Sequence, residues 1–337
     1  MNRVQADIQE IIQKKMLFTS LTNSKIMVTG ATGLIGSMLI KTLIAATNQY
    51  KLNIEIIGQI RDIKKARLIY GEIFDKINFV FTPNVDCDYI IHTVSPTSSK
   101  FFIEHPVETI KTSVGSLIEV LESAKNNGAT VVYLSSMEQY GIPYELNQKM
   151  SEEKIGIIDH LNIRSSYSES KRLCECMCVS YAAEYNMHVK IARLAQTFGA
   201  GVSLSDSRMP MQFAKAVIAG EDIILHTEGK SISNIVYLTD AITGILTILT
   251  KGTDGQAYNI CNDKETRSVR EIAELVCNEI AKKKIMVKVR KKDNMGYAPD
   301  VTLHLDSSKL NALGWNAEIN LVEAYQRLLS YLRNESI

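Results

Sequence analysis

A glycine-rich turn that follows an apolar segment is the feature that most constrains this fold. Residues 25–30, KIMVTG, are predicted to form a buried strand. The segment TGATGLIGS that overlaps its end contains Gly30, Gly33 and Gly36. In this pattern the first glycine permits a sharp turn, the second lets a pyrophosphate approach the backbone, and the third allows close helix–strand packing. Since a helix N-terminus favours anions, we predict a dinucleotide site whose contacts include Leu34 and Ile35.

Short apolar runs alternate with amphipathic stretches along the first two hundred residues, which is typical of βαβ units. Further strands are predicted over 54–59, 88–95, 130–136 and 189–199, and helices over 36–49, 106–128 and 166–185. This rhythm breaks up beyond about residue 199. We therefore expect an α/β fold, a Rossmann-type doubly wound parallel sheet with a smaller, interleaved C-terminal α/β domain.

The domain boundaries are predicted from the same change of rhythm. Residues 1–23 are expected to form an N-terminal helical extension, because their apolar residues recur at helical spacing. The dinucleotide-binding domain is expected to comprise 24–198 and about 235–261. The substrate-binding domain is expected to comprise about 199–234 and 262–337.

Composition and charge exclude several classes of protein. The chain has 337 residues, 45% of them hydrophobic and 22% charged, as in an ordinary globular protein. Its 38 Lys and Arg nearly balance its 37 Asp and Glu, so no long-range field would attract nucleic acid or an anionic membrane. The N-terminus lacks a secretory pattern, and the apolar run 241–250 is too short to span a bilayer. We expect a cytoplasmic protein without nucleic-acid or membrane partners.

Three of the six cysteines stand close together and raise the question of a metal site. Cys174, Cys176 and Cys178 lie in a predicted helix, where their spacing turns Cys176 away from the other two. The sequence contains no second cysteine cluster and no paired histidines to complete a ligand set. Free thiols and no metal are therefore expected.

A tyrosine and a lysine four residues apart form a second candidate motif. In a helix, Tyr167 and Lys171 lie on one face, one turn apart. The ordinary pKa of tyrosine is about 10, so a base near pH 7 needs a lower pKa, which an adjacent ammonium group favours. Ser136 ends the predicted strand 130–136, and ligands bind at the carboxyl ends of such strands. These three side chains are candidate catalytic residues.

The residues after two other predicted strands are candidate cofactor contacts. The segment 58–62 reads GQIRD. Its acidic residue, Asp62, stands slightly later than the residue that binds the ribose in a typical NAD site. Arg61 suits the 2′-phosphate of NADP or the adenine. The choice between NAD and NADP stays open on these residues. Val94 and Ser95 end the predicted strand 88–95 and complete the cofactor contacts.

Taken together, TGATGLIGS, Ser136, the Tyr167–Lys171 pair and a late LGW resemble the extended short-chain dehydrogenase/reductases, specifically the NAD-dependent sugar-nucleotide epimerase/dehydratase branch. The resemblance runs from about residue 24 to the end and implies a nucleotide-activated sugar substrate with tightly held NAD(P). It implies that Tyr167 takes the proton of a sugar hydroxyl, usually at C4, and that Ser136 binds the reacting oxygen. Lys171 would hold the ribose and lower the tyrosine pKa.

The turn after the predicted strand 130–136 bears on the step that comes after oxidation of the sugar. It reads Ser136-Met137-Glu138, and in the family that the chain resembles a glutamate here accompanies loss of water or CO2. Simple 4-epimerases usually lack that glutamate. Glu138 therefore favours a dehydratase or decarboxylase and is the fourth candidate catalytic residue. Met137 cannot donate a proton, and the alternative is that Glu138 only accepts a hydrogen bond from a sugar hydroxyl.

Other positions depart from the family pattern. Ser233 stands where an arginine usually binds the nucleotide diphosphate, and Thr112 stands where an asparagine is usual. Lys230 is a candidate substitute for that arginine, but only as a point charge. The predicted substrate contacts are Ser95, Ser136, Met137 and Gln196.

Several alternatives stay open on the sequence. They are a 4-epimerase, a net reductase that uses NADP(H), and a non-enzymatic dinucleotide-binding sensor or scaffold. The presence of Ser136, Tyr167 and Lys171 at working spacing argues against the last. The resemblance also implies a homodimer that packs through the helices near 106–127 and 166–185.

Overall fold

The computed structural model describes residues 2–145, 148–292 and 300–335. Parts of the predicted domains therefore lie outside the described residues, namely parts of 1–23, 24–198 and 262–337. The strands are β1 (Lys25–Thr29), β2 (Glu55–Gln59), β3 (Asn78–Val80), β4 (Tyr89–His92), β5 (Thr130–Ser136), β6 (Lys149–Met150), β7 (Val189–Leu194), β8 (Gln196–Phe198), β9 (Ile223–Leu225), β10 (Ile232–Tyr237), β11 (Ala257–Ile260), β12 (Thr266–Ser268), β13 (Val287–Val289) and β14 (His304–Leu305).

The helices cover most of the remaining chain. They are α1 (Arg3–Ile12), α2 (Met16–Thr19), α3 (Leu34–Tyr50), α4 (Ile63–Tyr70), α5 (Ser99–Glu104), α6 (Pro106–Ile110), α7 (Ser116–Asn127), α8 (Ser165–Tyr185), α9 (Met209–Ala219), α10 (Leu238–Lys251), α11 (Val269–Leu275), α12 (Ser308–Asn311) and α13 (Leu321–Glu335). Short 3₁₀ turns span Gly71–Lys76 and Met137–Tyr140, and π-helical turns span Lys111–Gly115 and Val276–Ile280.

Seven parallel strands form the central sheet in the order β3–β2–β1–β4–β5–β7–β11. The order reverses between β1 and β4, and doubly wound sheets bind their ligands at such a switch point. The predicted fold class is confirmed. The predicted strand 189–199 divides at Ala195, because β7 stays in the central sheet whereas β8 pairs with β10 in a smaller one.

Helices cover both faces of the central sheet, which explains the continuous apolar runs of its strands. Ile26 and Val28 of β1 pack into one core with α3 and α10, whereas Met27 packs into a second core with α7 and α8. Cys174 and Cys178 belong to that second core, and Cys176 is exposed. Each large apolar side chain buried in this way contributes roughly 1.5–3 kcal/mol.

A third core lies beneath the smaller sheets. It joins α9, α11 and α13 to β9 and β10, through side chains such as Phe213, Ile272 and Tyr325. Leu305 and Trp315, by contrast, pack into the core formed with α3 and α10. The division into a dinucleotide-binding and a substrate-binding domain stays a proposal.

The N-terminal extension is held by a buried carboxylate. Helix α1 packs against α3, α10 and α13. Asp7 of α1 is fully buried, accepts a hydrogen bond of 2.7 Å from the Tyr237 hydroxyl, and pairs with Arg3 and Arg327. Because a buried charge is tolerated only with such partners, these contacts tie α1 to β10 and α13.

Two observations on the described residues bear on the predictions about membranes and metal ions. None of the helices in the described ranges has both the length and the apolar character needed to cross a bilayer. Within the same ranges, no three His, Cys, Asp or Glu side chains are grouped to hold a metal ion.

Candidate active site

The glycine-rich turn connects β1 to α3 at the carboxyl end of the sheet. Gly30 has a φ of +65°, and a Cβ on it would lie 2.8 Å from Thr93 Oγ1. A Cβ on Gly36 would lie 2.5 Å from the Gly30 carbonyl oxygen, so the helix approaches too closely for any side chain. Gly33 is the N-cap of α3 and has no side chain with which to cap it. The first N–H groups of α3 therefore suit an anion such as a dinucleotide diphosphate.

Three further predicted cofactor contacts lie on elements next to this turn. Leu34 and Ile35 open α3 and are half-buried, and Arg61 is exposed just after β2. The Asp62 carboxylate caps α4 by accepting hydrogen bonds of 2.8 and 3.1 Å from backbone N–H groups of that helix. This capping role accounts for an acidic residue at position 62, just before α4, rather than directly at the end of β2. Arg61, Leu34 and Ile35 stay predicted contacts.

Val94 and Ser95 follow β4 beside the glycine turn. A Cβ on Gly30 would meet the Val94 side chain at 3.2 Å. The Ser95 hydroxyl is buried, and no hydrogen-bond partner for it is found among the described residues. An unpaired buried hydroxyl costs roughly 1–3 kcal/mol. Ser95 is therefore suited to a ligand atom that the chain itself does not supply.

Tyr167 and Lys171 lie one turn apart on α8, and both side chains are buried. The Tyr167 ring stacks on Phe102, with ring centroids 4.2 Å apart. Lys171 Nζ donates a hydrogen bond of 2.8 Å to the Leu134 carbonyl oxygen and lies 4.9 Å from the centre of the Tyr133 ring. Burial lowers the pKa of Lys171 to about 8. These contacts fix both side chains against the end of β5.

The Tyr167 hydroxyl lies near Ser136, Ser95 and the Glu138 carboxylate. Burial and the charge of Glu138 raise the pKa of Tyr167, while the two nearby serine hydroxyls oppose the rise. This direction is opposite to the one expected from the ammonium group of Lys171. The reason is that removing a phenolate from water outweighs the favourable charges around it. The chain alone therefore keeps Tyr167 protonated.

The 3₁₀ turn after β5 carries Met137 and Glu138. Glu138 forms a two-pronged ion pair with Arg164, with N–O distances of 2.9 and 3.2 Å. Its backbone N–H donates to Ser136 Oγ at 3.2 Å. Met137 packs against the core formed with α3 and α10. The residues that the structure brings together are Ser95, Ser136, Glu138 and Tyr167.

The predicted substrate contacts farther along the chain lie around β8 and β10. Gln196 is half-buried at the start of β8 and stays a predicted contact. Ser233 of β10 lies directly opposite Arg267 of β12, whose Nε donates to Glu265 at 3.0 Å. Lys230 is exposed just before β10. A neighbouring strand thus places an arginine directly opposite this serine.

No sequence motif marks three of the side chains that act on Tyr167 or Glu138, namely Phe102, Arg164 and Arg208. The positive charge of Arg208 opposes the rise in the pKa of Tyr167. Arg208 Nη2 donates a hydrogen bond of 2.7 Å to the Asp206 carboxylate, which holds the guanidinium group. Arg164 precedes Tyr167 by three residues, about one helical turn. That spacing from Tyr167 is the one feature of the sequence that indicates a role for Arg164.

The fold and the site define a dinucleotide-binding enzyme of the short-chain dehydrogenase/reductase type. The chain belongs to the NAD dependent epimerase/dehydratase family, whose profile matches residues 26–261. UDP-glucuronic acid decarboxylase 6 of Arabidopsis thaliana is 28% identical over 313 residues, which cover 90% of this chain and 87% of the relative. UDP-glucuronic acid decarboxylase 1 of Xenopus tropicalis is 27% identical over 316 residues, covering 92% and 72%.

Solved structures share the fold at lower identity. An epimerase from Methanothermobacter thermautotrophicus superposes with a TM-score of 0.79 at 20% identity, covering 97% of this chain and 96% of the other. A UDP-glucuronic acid 4-epimerase mutant from Bacillus cereus, in complex with NAD and a fluorinated UDP-sugar, gives 0.78 at 19% identity, with coverages of 92% and 99%. The predicted family, enzyme class and NAD cofactor are confirmed.

Proposed function

We propose that this enzyme oxidises the C4 hydroxyl of a nucleotide-activated uronate, releases CO2 at the ketone stage and reduces C4 again. One observation carries the proposal: Ser136 and Glu138 lie at and just after the carboxyl end of β5, and both act on the pKa of Tyr167. The relatives named UDP-glucuronic acid decarboxylase favour a uronate over other sugar nucleotides. Arg267, opposite Ser233, is our candidate for a diphosphate contact in place of Lys230.

The chain offers a fitting site for NAD. Gly30, Gly33 and Gly36 would hold the diphosphate at the start of α3, where a side chain would clash or block the backbone. Ser95 has a buried hydroxyl near that of Tyr167, and Lys171 would hold the ribose. When bound, NAD supplies a hydride acceptor and a positively charged ring that favours the phenolate form of a nearby tyrosine.

Tyr167 is the residue that moves the hydroxyl proton in this proposal. Its phenolate takes the proton of the C4 hydroxyl while the hydride leaves C4, and the phenol returns that proton when C4 is reduced. Ser136 donates a hydrogen bond to the same oxygen and so stabilises the charge that develops on it. Phe102 keeps the phenol ring in one orientation by stacking on it.

Glu138 is assigned to the step between the two hydride transfers. At the ketone stage the bond from C5 to the carboxylate breaks, CO2 leaves, and the electron pair forms an enolate across C5, C4 and the oxygen. A proton must then add to C5. Glu138 lies near enough to Tyr167 to influence its pKa, and we assign it the relay of this proton from water to C5.

Mass spectrometry of sugar nucleotides and uronates incubated with the enzyme in D2O tests the proposal. We expect loss of CO2 from a nucleotide-activated uronate and one non-exchangeable deuteron, at C5, in the product. Loss of water would instead make the enzyme a dehydratase, and unchanged mass with inverted stereochemistry a 4-epimerase. Stoichiometric release of oxidised NADP would indicate a net reductase. NAD binding without any turnover on the panel would favour a sensor or scaffold.

Replacement of Glu138 with Gln is expected to separate oxidation from the later proton transfer. The first oxidation persists, because Tyr167 and Ser136 are intact, so a 4-keto sugar and reduced cofactor accumulate. Product formation slows by about 100-fold, in the range of a lost acid–base group. Rapid-quench mass spectrometry and absorbance at 340 nm follow the two steps. If Glu138→Gln formed product at the wild-type rate, the role of Glu138 would be limited to accepting a hydrogen bond from the substrate.

The predicted homodimer is also proposed here. Several apolar side chains are exposed on α6, α7 and α8, namely Val107, Ile110, Ile118, Leu173 and Val179. We expect light scattering to give twice the chain mass, and Leu173→Glu to give the single-chain mass, because a charge cannot be buried unpaired in such an interface. Leu68→Glu, at an exposed position on α4, is the matched control and keeps the dimer. A monomeric wild type would contradict the proposal.

A further inference from the structure

The ion pair between Arg164 and Glu138 joins the two elements that carry the reacting groups. Glu138 lies on the turn after β5, and Arg164 directly precedes α8, which carries Tyr167. We infer that Arg164 is a positioning residue, which fixes the orientation of the Glu138 carboxylate. This inference rests on the proposed function, in which Glu138 relays a proton to C5.

The geometry of the pair restricts Glu138 strongly. Arg164 Nη1 donates to Oε2 at 2.9 Å, and Nη2 donates to Oε1 at 3.2 Å, so both carboxylate oxygens are held in one plane. The side chains are 16% and 29% exposed, respectively, so water screens this pair less than a surface pair. A lysine could contact only one oxygen and would leave the carboxylate free to rotate.

Other charged or titratable groups around the pair have different partners. They are Tyr167 and Lys171 on α8, Arg172 on the next turn of that helix, and Arg208 after β8. Arg172 donates to the carbonyl oxygens of Gln139 and Tyr140, on the same 3₁₀ turn, rather than to the Glu138 carboxylate. Arg172 therefore serves as a matched control for effects on the turn backbone.

One atom of Arg164 points to a competing role. Its Nε is buried, and no hydrogen-bond partner for it is found in the described ranges. That N–H could donate to an oxygen of the substrate, in which case Arg164 would act mainly in binding. The two roles differ in kinetics: positioning lowers kcat, whereas binding raises KM.

The test compares Arg164→Met, Arg164→Lys and Arg172→Met with the wild type. For Arg164→Met we expect kcat to fall about 100-fold, as for a misplaced catalytic group, with KM within about threefold. Arg164→Lys should restore part of kcat, and Arg172→Met should lower the melting temperature while kcat stays within about threefold of the wild type.

Two further measurements make the outcome decisive. In the Glu138→Gln background, Arg164→Met should cause no further loss of kcat, because Arg164 acts through Glu138. A crystal structure of Arg164→Met should show the Glu138 side chain in a changed or disordered position, even if no sugar nucleotide reacts. A raised KM with unchanged kcat, or a Glu138 side chain that keeps its position in Arg164→Met, would overturn the inference. Failure of the wild type on the substrate panel would count against the proposed function alone.

Discussion

Tyr167→Phe is expected to lower turnover about 1,000-fold while NAD still binds. The change removes only the hydroxyl that exchanges the substrate proton, and a positioned acid–base group contributes about 10²–10⁴-fold. The ring keeps its stacking on Phe102, 4.2 Å between centroids, and Lys171 keeps its hydrogen bond to the Leu134 carbonyl oxygen. Steady-state kinetics measure the loss, and calorimetric titration with NAD shows whether the cofactor site is intact.

Tyr181→Phe is the matched control for that variant. Tyr181 lies on the same helix, and its hydroxyl donates to Glu122 at 2.6 Å, in a contact between α7 and α8. Its loss should leave kcat within about twofold, since this hydroxyl is not among the groups around Tyr167. If Tyr167→Phe retained a tenth of the wild-type turnover, another group would have to carry the proton.

Arg193→Met is expected to cost about 3–5 kcal/mol of unfolding free energy, the usual cost of breaking a buried ion pair. Arg193 donates to both oxygens of Glu175, the shortest distance being 2.6 Å, and to the Tyr140 hydroxyl at 2.9 Å. The side chains of Arg193 and Glu175 are only 9% and 10% exposed. Without the guanidinium group, Glu175 keeps a hydrogen bond from Ser135, at 2.5 Å, which cannot balance a buried charge.

Urea denaturation of three variants measures this cost. Arg193→Met together with Glu175→Leu should regain most of the lost stability, because the uncompensated charge is then gone. Arg270→Met removes an exposed pair with Glu274, one helical turn away, and should cost no more than about 1 kcal/mol. A loss below about 1 kcal/mol for Arg193→Met alone would show that water reaches Glu175.

The parts of the site that sequence could predict are those fixed by local spacing. Gly30 and Gly36 recur at intervals that only a strand–turn–helix unit uses, and the structure shows a clash for any side chain at either position. Tyr167 and Lys171 share a helix face for the same local reason. The predicted strand 189–199 was too long, because the change of sheet at Ala195 depends on pairing with distant strands.

The sequence by itself determined the alternation of strands and helices in most of the first two hundred residues, the glycine cradle and the Tyr167–Lys171 pair, because each depends on residues a few positions apart. Only the tertiary structure decided which distant groups face one another. It placed Arg164 against Glu138 and Arg267 opposite Ser233, and it buried Asp7 against Tyr237.

The tertiary structure also set the direction in which the pKa of Tyr167 changes. Burial and the Glu138 charge raise this pKa, whereas the local spacing to Lys171 predicted a fall. Burial and charge pairing are sums over the whole packed chain, so spacing along the sequence cannot supply them.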